Sequence, residues 1–198
     1  MVLLTLLSIV QALALELLWS HIGERSDLYV WSFDAFLGWL QVLASLAGLI
    51  QIWLVYSTTV MRFVWVPSIG DSVWPFFIGI LEFVLINNMG LSSLSRWLFV
   101  MALIFGLMTA GTHSVMRRAR LNSGNAEFFA TVDRATTKDF IPQVLAVLGL
   151  SLFAAYFWRN DDSGWVALLA LMYALGLLAY QIFLTGKFWN QSISEQDQ

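Results

Sequence analysis

Two carboxylic acids stand inside apolar runs of this sequence, and a carboxyl group in hydrocarbon is a natural carrier for a proton or a cation. Glu82 lies in Phe77-Ile78-Gly79-Ile80-Leu81-Glu82-Phe83-Val84, with no other ionisable residue within two helical turns. Glu16 lies toward the end of the apolar run that begins at Val2. Holding an acid or base at the centre of a membrane helix costs roughly 2.5–3.5 kcal/mol, which makes each one a default functional candidate. In so dry a setting the neutral acid is favoured, and it donates one hydrogen bond instead of carrying charge. That suits a proton or cation relay, but it equally suits a structural bond between helices. No second acid is near in sequence, so the structural reading of Glu82 comes first and the relay second. Glu16 has the cheaper option of reaching the interface.

Amide side chains supply a second candidate. Asp34, Gly38, Gln41, Ser45, Gly48 and Gln51 recur at helical steps of four, three, four, three and three, which keeps them on one stripe. A stripe of small and amide residues facing lipid would waste its hydrogen-bonding groups. Helix packing is the first reading and pore lining the second, in which case Gln41 and Gln51 touch solute. Counting helical rise places Gln11 and Glu82 at similar depth, with Tyr173 slightly further out, and groups Glu16, Gln41, Asn87, Asn88 and Tyr156 nearer the outside. The candidate polar path is therefore Glu82, Gln41, Gln51, Gln11 and Glu16.

Other chemistries lack their parts. The histidines, His21 and His113, fall at opposite faces of the expected topology, which argues against a bis-histidine haem or a multi-histidine metal site. The lysines, Lys138 and Lys187, are interfacial, so a retinal Schiff base has no anchor. Ser92 and Ser93 lie on the opposite side from His113, so a serine–histidine pair cannot form. With no cysteine, thiolate metal sites, iron–sulfur clusters and disulfides are excluded. No catalytic constellation, metal site or cofactor is expected.

The elements that position these residues follow from composition. Of 198 residues 59% are hydrophobic and 12% charged, with a mean hydropathy of +0.75. Soluble domains carry roughly a quarter charged residues, so the solvent for much of this chain must be lipid. The formal charge of -3 provides no basic stripe for nucleic acid. Spanning about 30 Å of hydrocarbon takes about twenty residues, and the sequence predicts six such segments, near residues 2–22, 33–56, 73–89, 97–112, 140–158 and 165–184. Ala12-Leu13-Ala14 offers a signal-cleavage pattern, but Glu16 follows it and no positive charge precedes the run, so the first segment is expected to stay as a membrane helix.

Basic residues orient the chain. With a cytoplasmic amino terminus, Arg62, Arg117, Arg118, Arg120, Arg134, Lys138 and Lys187 lie inside and only Arg25, Arg96 and Arg159 outside. Trp19, Trp31, Trp39, Trp97, Trp158 and Trp165 fall near the outer interface and read as an aromatic belt. The expectation is an all-α integral membrane protein of about six transmembrane helices in three hairpins, both termini cytoplasmic. Residues 1–189 form one bundle, 113–139 an inner interfacial segment, and 190–198 a polar tail.

On that inner segment Arg117, Arg118, Arg120, Phe128 and Phe129 are candidate contacts for anionic headgroups or a partner, and residues 125–136 are expected to hold a short amphipathic helix. The leading functional expectation is a small-solute or ion transporter or channel component in a cell (inner) membrane, acting as a homo-oligomer or with a membrane-protein partner. The alternative is a stress or defence sensor or scaffold working through the basic segment.

Overall fold

Backbone N–H and C=O groups in hydrocarbon have no water to bond, and the helix satisfies them within one segment. The computed structural model describes residues 2–66, 69–160 and 164–194, and among them it contains helices and turns without a strand. The α-helices are α1 (Val2–Glu24), α2 (Phe33–Arg62), α3 (Ile69–Asn87), α4 (Leu94–Ala119), α5 (Ala126–Thr131), α6 (Ile141–Arg159) and α7 (Trp165–Ser194). Five stretches are long and apolar enough to cross a membrane: Leu4–Glu24, Phe33–Arg62, Leu91–Ala119, Thr137–Arg159 and Trp165–Asn190. They fit a multi-pass integral membrane protein. Helix α3 carries the shorter apolar stretch Val73–Asn87 within its 19 residues.

Local chemistry fixes the ends. Ser32 caps α2 by accepting a hydrogen bond from the Ala35 N–H at 3.1 Å. Pro142 opens α6, where its missing N–H costs nothing. Gly90, at φ 129°, turns the chain between α3 and α4 in a conformation that other residues rarely adopt. Helix α7 continues to Ser194, into the expected tail, of which residues 195–198 lie outside the described part; residues 161–163, between the fifth and sixth expected segments, and 67–68, between the second and third, lie outside it as well.

The helices form a closed ring in the order α1, α3, α4, α6, α7, α2, each packing on its neighbours in that list. The sequence neighbours α1/α2 and α3/α4 pack together, whereas α6 lies mainly on α4 and α7 mainly on α2. Across the middle α2 also meets α4: the Trp97 Nε1–H donates to Ser45 Oγ at 3.1 Å, and Gly48 lies beside Met101 and Leu178. The stripe on α2 turns inward, with Gly38, Gln41, Ser45 and Gly48 buried, Gln51 half-buried and Asp34 exposed at the helix start. Trp19, Trp31, Trp158 and Trp165 are exposed, as belt residues should be. Trp97 is 0% exposed and is a core residue, a correction to its placement in the belt.

The loop after α1 holds an ion pair outside the spanning segments. Arg25 Nε and Nη2 donate to the two Asp27 carboxylate oxygens at 3.1 and 2.5 Å, and this holds the Asp27 carboxyl below the usual carboxylate range. Because the folded pKa is depressed, its contribution is present above the unfolded value and lost as pH falls through the folded one. Asp27→Asn is therefore expected to lower the thermal midpoint slightly at neutral pH and to flatten its acid limb, so that variant and parent converge below about pH 4. An unchanged acid limb would mean the pair adds nothing to stability.

Candidate functional site

The polar residues singled out in the sequence go to separate places. On the α1–α3 interface, Val10 packs so tightly on Gly79 that a Cβ there would collide with its Cγ1 methyl. That approach lets Gln11 Nε2 donate to Glu82 Oε1 at 2.5 Å, with Gln11 5% and Glu82 0% exposed. The depth match counted along the sequence is thus a direct contact. Glu82 Oε2 is buried without a hydrogen-bond partner. Gln41 lies elsewhere, where its Oε1 accepts from the Gly90 N–H at 2.8 Å and holds the α3–α4 turn against α2. The Glu16 side chain is exposed and joins neither group.

Residues of the basic segment are largely engaged within the fold. Arg118 pairs with Asp71, joining the end of α4 to the start of α3. Arg120 donates to the Val132 and Asp133 carbonyls at 3.0 and 2.9 Å, and its guanidinium stands 4.5 Å from the Phe129 ring centre. Asn125 accepts from the Val64 N–H and donates to the Val64 and Ala119 carbonyls. The short α5 thereby folds under α2 and α7, and Phe128 stacks edge-on to Phe63 at 5.0 Å and to Phe188 at 5.7 Å. Phe128 is buried there and Phe129 partly so, which leaves Arg117 as the exposed member of the candidate contacts.

Gln51 is the path candidate that faces open space. Its Nε2 donates to Thr185 Oγ1 on α7 at 3.0 Å, and both residues line a cavity of about 420 Å³ between α2, α4, α6 and α7. The lining runs from the buried Gly48 and Met101 at its deep end to the exposed His113 and Asp139 at its mouth. Ile52, Val55, Ile104, Phe105, Met108 and Leu178 make most of the deep wall. Its threonines offer fewer polar sites than their number suggests. Thr59 and Thr109 donate to the carbonyls of Val55 and Phe105 one turn back, at 2.7 and 2.8 Å, which satisfies each hydroxyl's donor. Gln51 and Gln143 each keep a buried amide oxygen that no donor reaches.

The cavity went unread in the sequence. Its signal was present as Thr58, Thr59, Thr109, Thr112 and Thr185 gathered toward the basic ends of three helices, but the meaning of that cluster depends on which helices are neighbours. Among the described residues no group of histidine and carboxylate side chains could hold a metal ion. No family model, curated protein or solved structure matches this chain.

Proposed function

We propose that this chain is the solute-binding component of a membrane transport system, that its solute is a small amphipathic molecule, and that the α2–α4–α6–α7 cavity is the site. The observation that carries the reading is the cavity itself. Its volume of about 420 Å³ lies within the roughly 300–1,000 Å³ of small-molecule sites, and it pairs apolar walls with a few polar groups as such sites do. A bare ion or a sugar would find few free donors and acceptors on these walls, whereas an apolar body with a donor-bearing head fits both the wall and the unpaired oxygens of Gln51 and Gln143. The mouth lies at the end that carries Arg62, Arg117, Arg118 and Arg120. By the positive-inside rule that end is cytoplasmic, with six crossings and both termini inside an inner-membrane-type bilayer. A complete translocation route needs a second copy or a partner subunit, because Trp97, Leu94 and Leu98 fill the bundle beyond the deep end.

The sensor or scaffold alternative has less support. Arg118, Arg120 and Phe128, which it would use for recruitment, are committed to contacts within the chain.

A dansyl-labelled fatty amine serves as the probe. Saturable emission enhancement is expected with the purified full chain, and Gln181→Trp, which places an indole in the cavity from half-buried Gln181, is expected to weaken it at least about tenfold. Glu82→Gln is expected to bind like the parent protein, since Glu82 is not on the lining. Equal binding by Gln181→Trp would remove the cavity as the site.

A further inference from the structure

A second cavity of about 250 Å³ lies between α2, α3 and α4, and its chemistry is unlike that of the first. At its foot stand Arg118 and Asp71, an ion pair whose side chains keep 33% and 11% of their exposure. Asp71 is in the first turn of α3 and Arg118 in the last turn of α4, each at the helix end that favours its charge. A clasp between two helices would need nothing more. This pair, however, borders a void together with the aromatic side chains of Tyr56, Trp65 and Trp74. Gly111 makes room for one of them: a Cβ there would lie 2.6 Å from Trp74 Nε1, so the indole occupies the space that any larger residue would need.

Polarity is graded along the cavity. Met108 and Val55 are at the apolar end, Thr112, Tyr56 and Trp74 follow, and Ser114, Arg118 and Asp71 are at the charged end. On α4 that sequence covers about 15 Å of rise. A phospholipid at a bilayer surface presents the same order of chain, ester zone and head group. The volume lies below the roughly 300 Å³ at which drug-sized sites begin, so the cavity accommodates a head group and the first carbons while the chains stay in the bilayer.

We infer that this cavity binds the head group of a zwitterionic phospholipid, with the phosphate on Arg118 and Ser114 and the ammonium beside Asp71. Arginine is the side chain best shaped for phosphate, and Ser114 precedes Arg118 by four residues on the same face of α4. The carboxylate decides the class: a purely anionic head group would place its charge against Asp71, whereas an ammonium group is drawn to it and to the aromatic rings. The site is independent of the solute cavity, although the two share Val55, Thr59, Met108 and Thr112 as a wall.

The test is thermal unfolding of the delipidated full chain in detergent with short-chain lipids added one at a time, since a ligand of the folded state raises the midpoint with its concentration. Dioctanoyl phosphatidylethanolamine is expected to raise the midpoint saturably and at about tenfold lower concentration than dioctanoyl phosphatidylglycerol. Asp71→Asn, which keeps a hydrogen bond to Arg118 but removes the charge, is expected to reverse that order. Ser114→Ala, which leaves the ion pair in place, is expected to weaken the zwitterionic lipid. Equal potency of the two lipids, or an order unchanged in Asp71→Asn, would overturn the proposal. So would phosphoethanolamine or inorganic phosphate acting as well as the lipid, because the ligand would then be a soluble phosphate. If Asp71→Asn does not fold, parent potency in Ser114→Ala overturns it.

Discussion

Trp97→Ala is expected to destabilise the bundle by about 3–5 kcal/mol, the range for removing a fully buried large aromatic side chain. Trp97 is 0% exposed, and its indole joins α4 to α2 through Ser45 at a point where both helices face the interior. Truncation removes the ring, leaves a void between two helices that share few other close backbone contacts, and strips Ser45 of its donor. Ser45→Ala separates the polar part of this effect. It leaves the indole N–H buried without an acceptor and should cost about 1–3 kcal/mol. Trp158→Ala is the control, at 76% exposure and an expected change within about 0.5 kcal/mol. Denaturant titration in mixed micelles measures all three. If Trp97→Ala and Trp158→Ala cost the same, Trp97 is not holding the bundle together.

Gln11→Leu is expected to cost about 3–5 kcal/mol if Glu82 is charged, because it removes the hydrogen-bond partner of a carboxyl buried between α1 and α3, and about 1–3 kcal/mol if the acid is neutral. Gln11→Leu combined with Glu82→Leu should recover most of that loss, since two apolar groups of similar shape then face each other. The interaction energy of the cycle is expected to be about 0.5–3 kcal/mol and favourable. Additive single and double effects would mean the 2.5 Å contact contributes no coupling. The cycle also bears on Glu82 as a relay, because a carboxyl that moves protons should not be replaceable by leucine without loss of flux.

Depth was legible along the chain, and direction around each helix was not. Gln11 and Glu82 were matched by counting rise, because α1 and α3 pack along each other and rise per residue is the same in both. The stripe on α2 was also readable, since Gly38, Gln41, Ser45 and Gly48 repeat at helical spacing and amides avoid lipid. Trp97 was misplaced for the complementary reason. A belt tryptophan and a core tryptophan occupy the same depth, and only the position of α2 beside α4 separates them. Phe128 looked like a contact for lipid or a partner because its segment is short and amphipathic, but Asn125 turns that segment back beneath Phe63. Both cavities depend on helix order, and the pairing of Asp71 with Arg118 joins residues that sequence proximity does not connect.

The ring order α1, α3, α4, α6, α7, α2 also governs how the chain can be made. Synthesis delivers α2 well before α7, yet α7 is the helix on which α2 packs most extensively, and Thr185 on α7 is what Gln51 bonds to. Between those two moments, nascent α2 must present Gln51 and the far edge of its stripe to lipid or to the insertion machinery. The arrival of α7 therefore closes the ring on α2, and until then the α7-facing side of α2 lacks its cover.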